Sequence, residues 1–250
     1  MGFLSDDPAR RRLERFTLWY APLWMTVAAV VQQRADLARW GDAEFLALGL
    51  GLALPPLATP FLGLPAVERG RALRGRFAAK AMLFVAVLSF LRAFLGARVF
   101  FVLLGMRYRF PVHLTLNGSP VFVYLLTVPY YLTYLVAMQV ALRAVGRVFP
   151  SRGAAVVARA ALAFGVAFAE TGLMATERMA SFFSYADRRF SLTWGSLCYG
   201  AVFFVTLPLF DAIDRDGPTP LGEVLRDALA AMTVILCVYE AAMVLAGLGR

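Results

Sequence analysis

Seven long apolar runs, separated by short polar or basic segments, fill most of this chain and decide which solvent it folds in. They cover residues 16–31, 45–64, 77–105, 121–142, 154–175, 192–210 and 228–248. A helix needs about 20 mainly apolar residues to cross the hydrocarbon core of a bilayer, and soluble core helices are usually shorter. The composition agrees: 60% of the residues are hydrophobic and 16% charged, against about 45–50% and 25% in soluble domains. The expected fold is therefore all-α, a polytopic transmembrane helical bundle of about seven helices, with residues 1–250 forming a single integral membrane domain.

The net charge of +9 does not point to nucleic acid, because the arginines fall in the gaps between apolar runs rather than along one amphipathic face. They read as topology signals. With seven spans, fourteen cations fall on the side of the N terminus, among them Arg10, Arg11, Arg12, Arg15, Arg69, Arg71, Arg74 and Arg76, and eight on the other. The positive-inside rule then makes residues 1–15 a basic cytoplasmic segment, in the cytoplasmic (inner) membrane of a bacterium. Membrane lipid is the expected surrounding partner.

Two runs should be irregular. Residues 45–64 contain Pro55, Pro56 and Pro60, so a bend or break is expected near the middle of that helix. Residues 77–105 would reach about 43 Å as one helix, more than the hydrocarbon core of about 30 Å, so the run should tilt, protrude or break near Gly96.

Several chemistries are excluded by what the chain lacks. One histidine cannot build the multi-imidazole sites of membrane iron oxygenases, and Cys198 and Cys237 have no metal-ligand spacing. The last apolar run has no lysine for a retinal Schiff base. Neither metal nor cofactor is expected.

What remains is a small set of charges at bilayer depth, which are costly there and so mark function by default. Arg92 and Arg98 lie in the third run, Glu170 in the fifth and Glu240 in the seventh. One reading pairs an arginine with Glu170 or Glu240 simply to hold helices together. The other puts a carboxyl in an apolar cavity as a proton donor. Glu170 is the first candidate catalytic residue, with Glu177 seven positions on and so on roughly the same helical face. The fourth run is dense in hydroxyls and aromatics, including Tyr130, Tyr131 and Tyr134, whose faces suit a carbocation. Arg98, Tyr134, Glu240 and Arg92 are the candidate substrate-binding residues.

Seven stretches, at residues 15–24, 46–61, 99–111 (VFFVLLGMRYRFP), 167–171 (AFAET), 185–189 (YADRR), 203–216 and 224–232, resemble the cycloeucalenol cycloisomerase family in order and spacing. The resemblance implies a sterol isomerase that protonates a 9β,19-cyclopropane ring, passes through a cation near C9 and loses a proton from C8 to leave a Δ8 double bond. It implies a sterol or polycyclic terpenoid substrate, no redox cofactor, and Glu170 of the Glu-Thr pair as acid or base. The reading from a different class is a non-catalytic lipid or terpenoid binding or transport protein on the same scaffold.

Overall fold

The computed structural model describes residues 3–34, 37–180 and 182–248, without the side chains of Arg34 and Arg178. Three cations counted above for the non-cytoplasmic side, Arg34, Arg178 and Arg250, therefore lie outside the described residues.

Among the described residues seven long helices follow one another: α1 Pro8–Arg34, α2 Asp42–Ala58, α3 Phe77–Leu95, α4 Val121–Val148, α5 Arg152–Met174, α6 Arg188–Ala212 and α7 Leu221–Leu245. The five from α3 to α7 are each long and apolar enough to cross a membrane. The protein is thus an all-α membrane bundle. The other two fall short for different reasons: α2 has 17 residues, and α1, though longer, is not apolar enough, its uncharged part carrying Trp19, Tyr20, Pro22, Trp24, Gln32 and Gln33.

Side-chain bonds at the two ends show that successive helices alternate in direction. At one end, Arg10 of α1 donates to the Asp211 carboxylate at 2.8 Å and to the Ile213 carbonyl at 2.6 Å. Arg12 donates to Thr59 O beyond α2, Lys80 of α3 meets Asp214 beyond α6, and Arg143 of α4 meets Glu14 of α1. The opposite end collects Asp42 of α2, which accepts from the His113 and Leu114 amides, and Asn117, which donates to Phe94 O near the end of α3. Short strands β1 (Arg107–Tyr108) and β4 (Phe183–Ser184) pair antiparallel there, and β2 (Thr115–Leu116) pairs with β3 (Ser119–Pro120).

The core lies between α3, α4, α6 and α7, where Phe84, Leu88, Tyr131, Leu135, Phe203 and Tyr239 are fully enclosed. Helix α5 is peripheral. It buries only the small residues Ala163, Ala167 and Thr171, a surface that lets it lie close against α6. Val156, Val157, Phe168 and Leu173 face outward, as lipid contact demands, while Phe164 packs on Phe204 and Val166 on the core.

The expectation for the third run is met in detail. Helix α3 stops at Leu95, Gly96 caps it, and Val99–Leu103 forms a π-helical turn. The expectation for the second run needs correction: α2 continues unbroken to Ala58, with Pro55 and Pro56 in its last turn. A proline costs the helix its bond to the residue four before it, and placed this late it ends the helix rather than bending its centre.

Gly105 closes the turn between the π-helical segment and β1. Its φ of +57° is a conformation that L side chains rarely adopt, and an added Cβ would stand 2.5 Å from the Ala186 Cβ. Gly105→Ala is expected to cost about 1–3 kcal/mol through backbone strain and steric conflict with the β4 side of the site. Thermal melts in one detergent should show it, and an unchanged midpoint would contradict it.

Candidate functional site

Where α3 ends, a charged side chain is enclosed by the bundle. Arg92 is 8% exposed, and among the described residues neither an ion-pair partner nor a bond from its Nε or Nη2 is present. Its guanidinium instead lies 3.8 Å from the ring centre of Phe100 and 4.7 Å from that of Tyr199. Such faces attract a desolvated cation by about 2 kcal/mol or more. The local chain explains the contact: the π turn after Gly96 carries Phe100 back toward Arg92, and α6 supplies Tyr199, whose ring meets that of Phe100 edge to face at 5.1 Å. Tyr131 and Tyr239 lie within electrostatic range, and the buried hydroxyl of Tyr239 has no hydrogen-bond partner.

On the other side of this cluster, Glu170 of α5 is half-buried and accepts a hydrogen bond from the Tyr130 hydroxyl. The Tyr130 ring packs against Tyr134 at 4.7 Å and edge-on against Tyr131 at 5.0 Å, while Tyr134 meets Phe203 at 5.5 Å. Tyr130 and Tyr134 are four residues apart on α4, as Tyr199 and Phe203 are on α6, so each pair shares one helical face. Glu170 and Arg92 are within electrostatic range of one another without forming an ion pair.

Of the residues singled out from sequence, the fold therefore gathers Glu170, Tyr134 and Arg92. Arg98 and Glu240 it sends elsewhere: they bond to each other at 3.3 Å with side chains 52% and 56% exposed. Glu177 leaves the Glu170 stripe, because α5 ends at Met174 and the chain turns before reaching it. Residues Phe100, Tyr199, Phe203 and Tyr239 join the cluster without having been anticipated. The four-residue spacing of Tyr199 and Phe203 was the available signal for two of them.

A cleft of about 300 Å³ opens beside the cluster, between the end of α5 and the 176–188 segment, lined by Met174, Thr176, Glu177, Phe183, Tyr185 and Arg188 among others. Tyr185 belongs to both, being within electrostatic range of Tyr199, Arg92 and Glu170. A second hollow, at Leu73, Arg74 and Leu221, lies at the other end of the bundle and shares no residue with the cluster.

The arrangement offers one carboxyl held by a phenol, an aromatic wall beside it, and a fixed positive charge within range. Those are the parts required to move a proton onto an apolar molecule and to tolerate the cation that results.

No protein-family model matches this chain, and no solved structure matches it. Among characterised proteins it is similar to the cycloeucalenol cycloisomerase of Arabidopsis thaliana, at 27% identity over 250 aligned positions that span 95% of this chain and 87% of the relative. The resemblance read from seven separate stretches thus extends along nearly the whole sequence.

Proposed function

We propose that this protein is a single-domain membrane isomerase that rearranges a sterol or related polycyclic terpenoid by proton transfer, with Glu170 as the group that gives and takes the proton. The observation that carries the reading is the Glu170 carboxyl held by Tyr130 inside an aromatic cluster. The similarity to a cycloisomerase over almost the full chain supplies the reaction class.

On a 9β,19-cyclopropyl sterol, the proton of Glu170 goes to C19 and is taken up by the electron pair of the C9–C19 bond, which breaks. The cation left at C9 is quenched when the C8–H electrons form the Δ8 double bond, and the Glu170 carboxylate recovers a proton from C8. Atoms and charge balance without any co-reactant. Tyr130 holds one carboxyl oxygen by donating to it, which leaves the other free to face substrate. Arg92 favours the carboxylate formed during the step by Coulomb attraction, but its like charge would oppose a neighbouring carbocation. The rings of Phe100 and Tyr199 are already occupied by its guanidinium, so the cation is best accommodated on the Tyr134 and Phe203 side. Arg92 and Tyr134 are the substrate-contacting residues in this reading. Arg98 and Glu240, paired and half-exposed, would border it at the lipid boundary.

The excess of cations at the Arg10 end supports a cytoplasmic N terminus in a bacterial-type inner membrane. The test of function is to reconstitute the protein in vesicles containing cycloeucalenol and follow the sterols by mass spectrometry and the Δ8 olefin by NMR. Conversion to the Δ8 isomer is expected. A folded protein that binds the sterol and leaves the cyclopropane intact would favour a binding or transport role.

A further inference from the structure

We infer that Arg92 and Tyr239 form the recognition site for the hydroxyl group of a polycyclic alcohol, an assignment that rests on the sterol reading above and names the part of the substrate this pair holds. Arg92 is nine-tenths buried, and its Nε and Nη2 are without hydrogen-bond partners. Tyr239 is 1% exposed, and its hydroxyl is likewise unpartnered. The two side chains face one another: the Tyr239 hydroxyl lies close beside the Arg92 guanidinium, without the geometry of a hydrogen bond between them.

Buried donors left without acceptors are costly, and in native proteins they call for an explanation such as a ligand or an ordered water. Contact with the rings of Phe100 and Tyr199 answers the charge of the guanidinium, but hydrogen bonding to Nε and Nη2 has to come from the edge, in the guanidinium plane. A neutral alcohol fits both orphans at once. Its oxygen accepts from the guanidinium while its O–H donates to the Tyr239 oxygen, or the two phenol and alcohol hydroxyls exchange these roles. A hydrocarbon at the same place would leave both groups unpaired, and a methyl ether, whose oxygen can accept but not donate, must also fit a methyl group between two enclosed side chains. Buried hydrogen-bonding sites discriminate in this way most strongly against analogues that lack the polar group. Arg92 also lies within electrostatic range of Glu170, so a hydroxyl held here would fix the ring system relative to the proton donor.

The test uses the intact protein in nanodiscs and three probes of one skeleton: a Δ8 3-hydroxysterol, its 3-ketone and its 3-methyl ether, titrated against intrinsic fluorescence. None of them has a cyclopropane, so binding is read separately from turnover. The alcohol is expected to bind wild-type protein about tenfold or more tightly than the ether, with the ketone between them, and Arg92→Met to level the three. The wild-type series stands even if that variant fails to fold. Equal affinity of alcohol and ether for wild type overturns the inference and leaves isomerisation standing. Alcohol-selective binding without turnover of a cyclopropyl sterol supports the inference and removes the isomerase reading. Failure of all three to bind overturns the inference, and turnover of a cyclopropyl sterol then decides the isomerase reading by itself.

Discussion

In Glu170→Gln protein, conversion of a cyclopropyl sterol to its Δ8 isomer is expected to fall by about 10²- to 10⁴-fold, the range ascribed to a positioned general acid or base. The substitution isolates the proton. Glutamine has nearly the same shape, and its carbonyl oxygen can still accept from Tyr130, so the packing of Tyr130 against Tyr131 and Tyr134 is retained. What it lacks is an acidic hydrogen to give to C19 and a carboxylate to take one from C8. Tyr130→Phe is the companion variant. It keeps the ring and removes one hydrogen bond, a loss of about 0.5–1.5 kcal/mol or roughly two- to tenfold in rate, clearly less than the loss at Glu170. Initial rates in vesicles, normalised to folded protein, measure both. A Glu170→Gln protein that turns over at the wild-type rate would remove the proton-transfer role from this carboxyl.

Much of the architecture was legible because the bilayer imposes a simple rule on sequence. Each run of about 20 apolar residues became a helix or the greater part of one, and of the three outcomes open to the overlong third run, tilting, protruding or breaking near Gly96, the break is the one found. Of the candidate site, Glu170 and Tyr134 were legible as groups too polar or too aromatic for a lipid face. The two arginines of the third run show where this reasoning stops. Arg92 and Arg98 are six residues apart and chemically identical, yet one is enclosed by aromatic rings and the other pairs with Glu240 at the surface. The break at Gly96, where α3 ends, lies between them, and such an irregularity changes the phase of everything after it by an amount that spacing does not encode. Tyr239 and Glu240 make the same point without irregularity. Adjacent residues on a helix point about 100° apart, so the tyrosine enters the core while the carboxylate leaves it. Tyr199 was overlooked because a single tyrosine in an apolar run carries no signal until its neighbour at position 203 is read with it.

Asp214→Ala is expected to destabilise the bundle by about 3–5 kcal/mol, the cost of leaving a buried charge without its partner. Lys80, the only lysine of the chain, is 2% exposed in the first turn of α3. A cation there opposes the positive end of the helix dipole as well as being cut off from water. Asp214 offsets both, with its carboxylate oxygens 2.7 and 3.0 Å from Nζ. The same residue also shapes the α6–α7 connection: its φ of +54° turns the chain, its Oδ1 accepts from the Thr219 amide, and its own amide donates to the Thr219 hydroxyl. Removing the carboxylate therefore strands the ammonium and loosens the loop that also receives Arg10 at Asp211 and Ile213. Lys80→Met restores compatibility from the other side by taking away the charge that needed an answer. The double variant Lys80→Met/Asp214→Asn should accordingly recover most of the lost stability, because an amide can still accept from Thr219 and nothing charged remains enclosed. Thermal midpoints in a single detergent give the comparison, with a drop on the order of 10 °C for Asp214→Ala. If Lys80→Met added to Asp214→Ala raises the midpoint no further, the loop geometry rather than the buried charge is what Asp214 maintains.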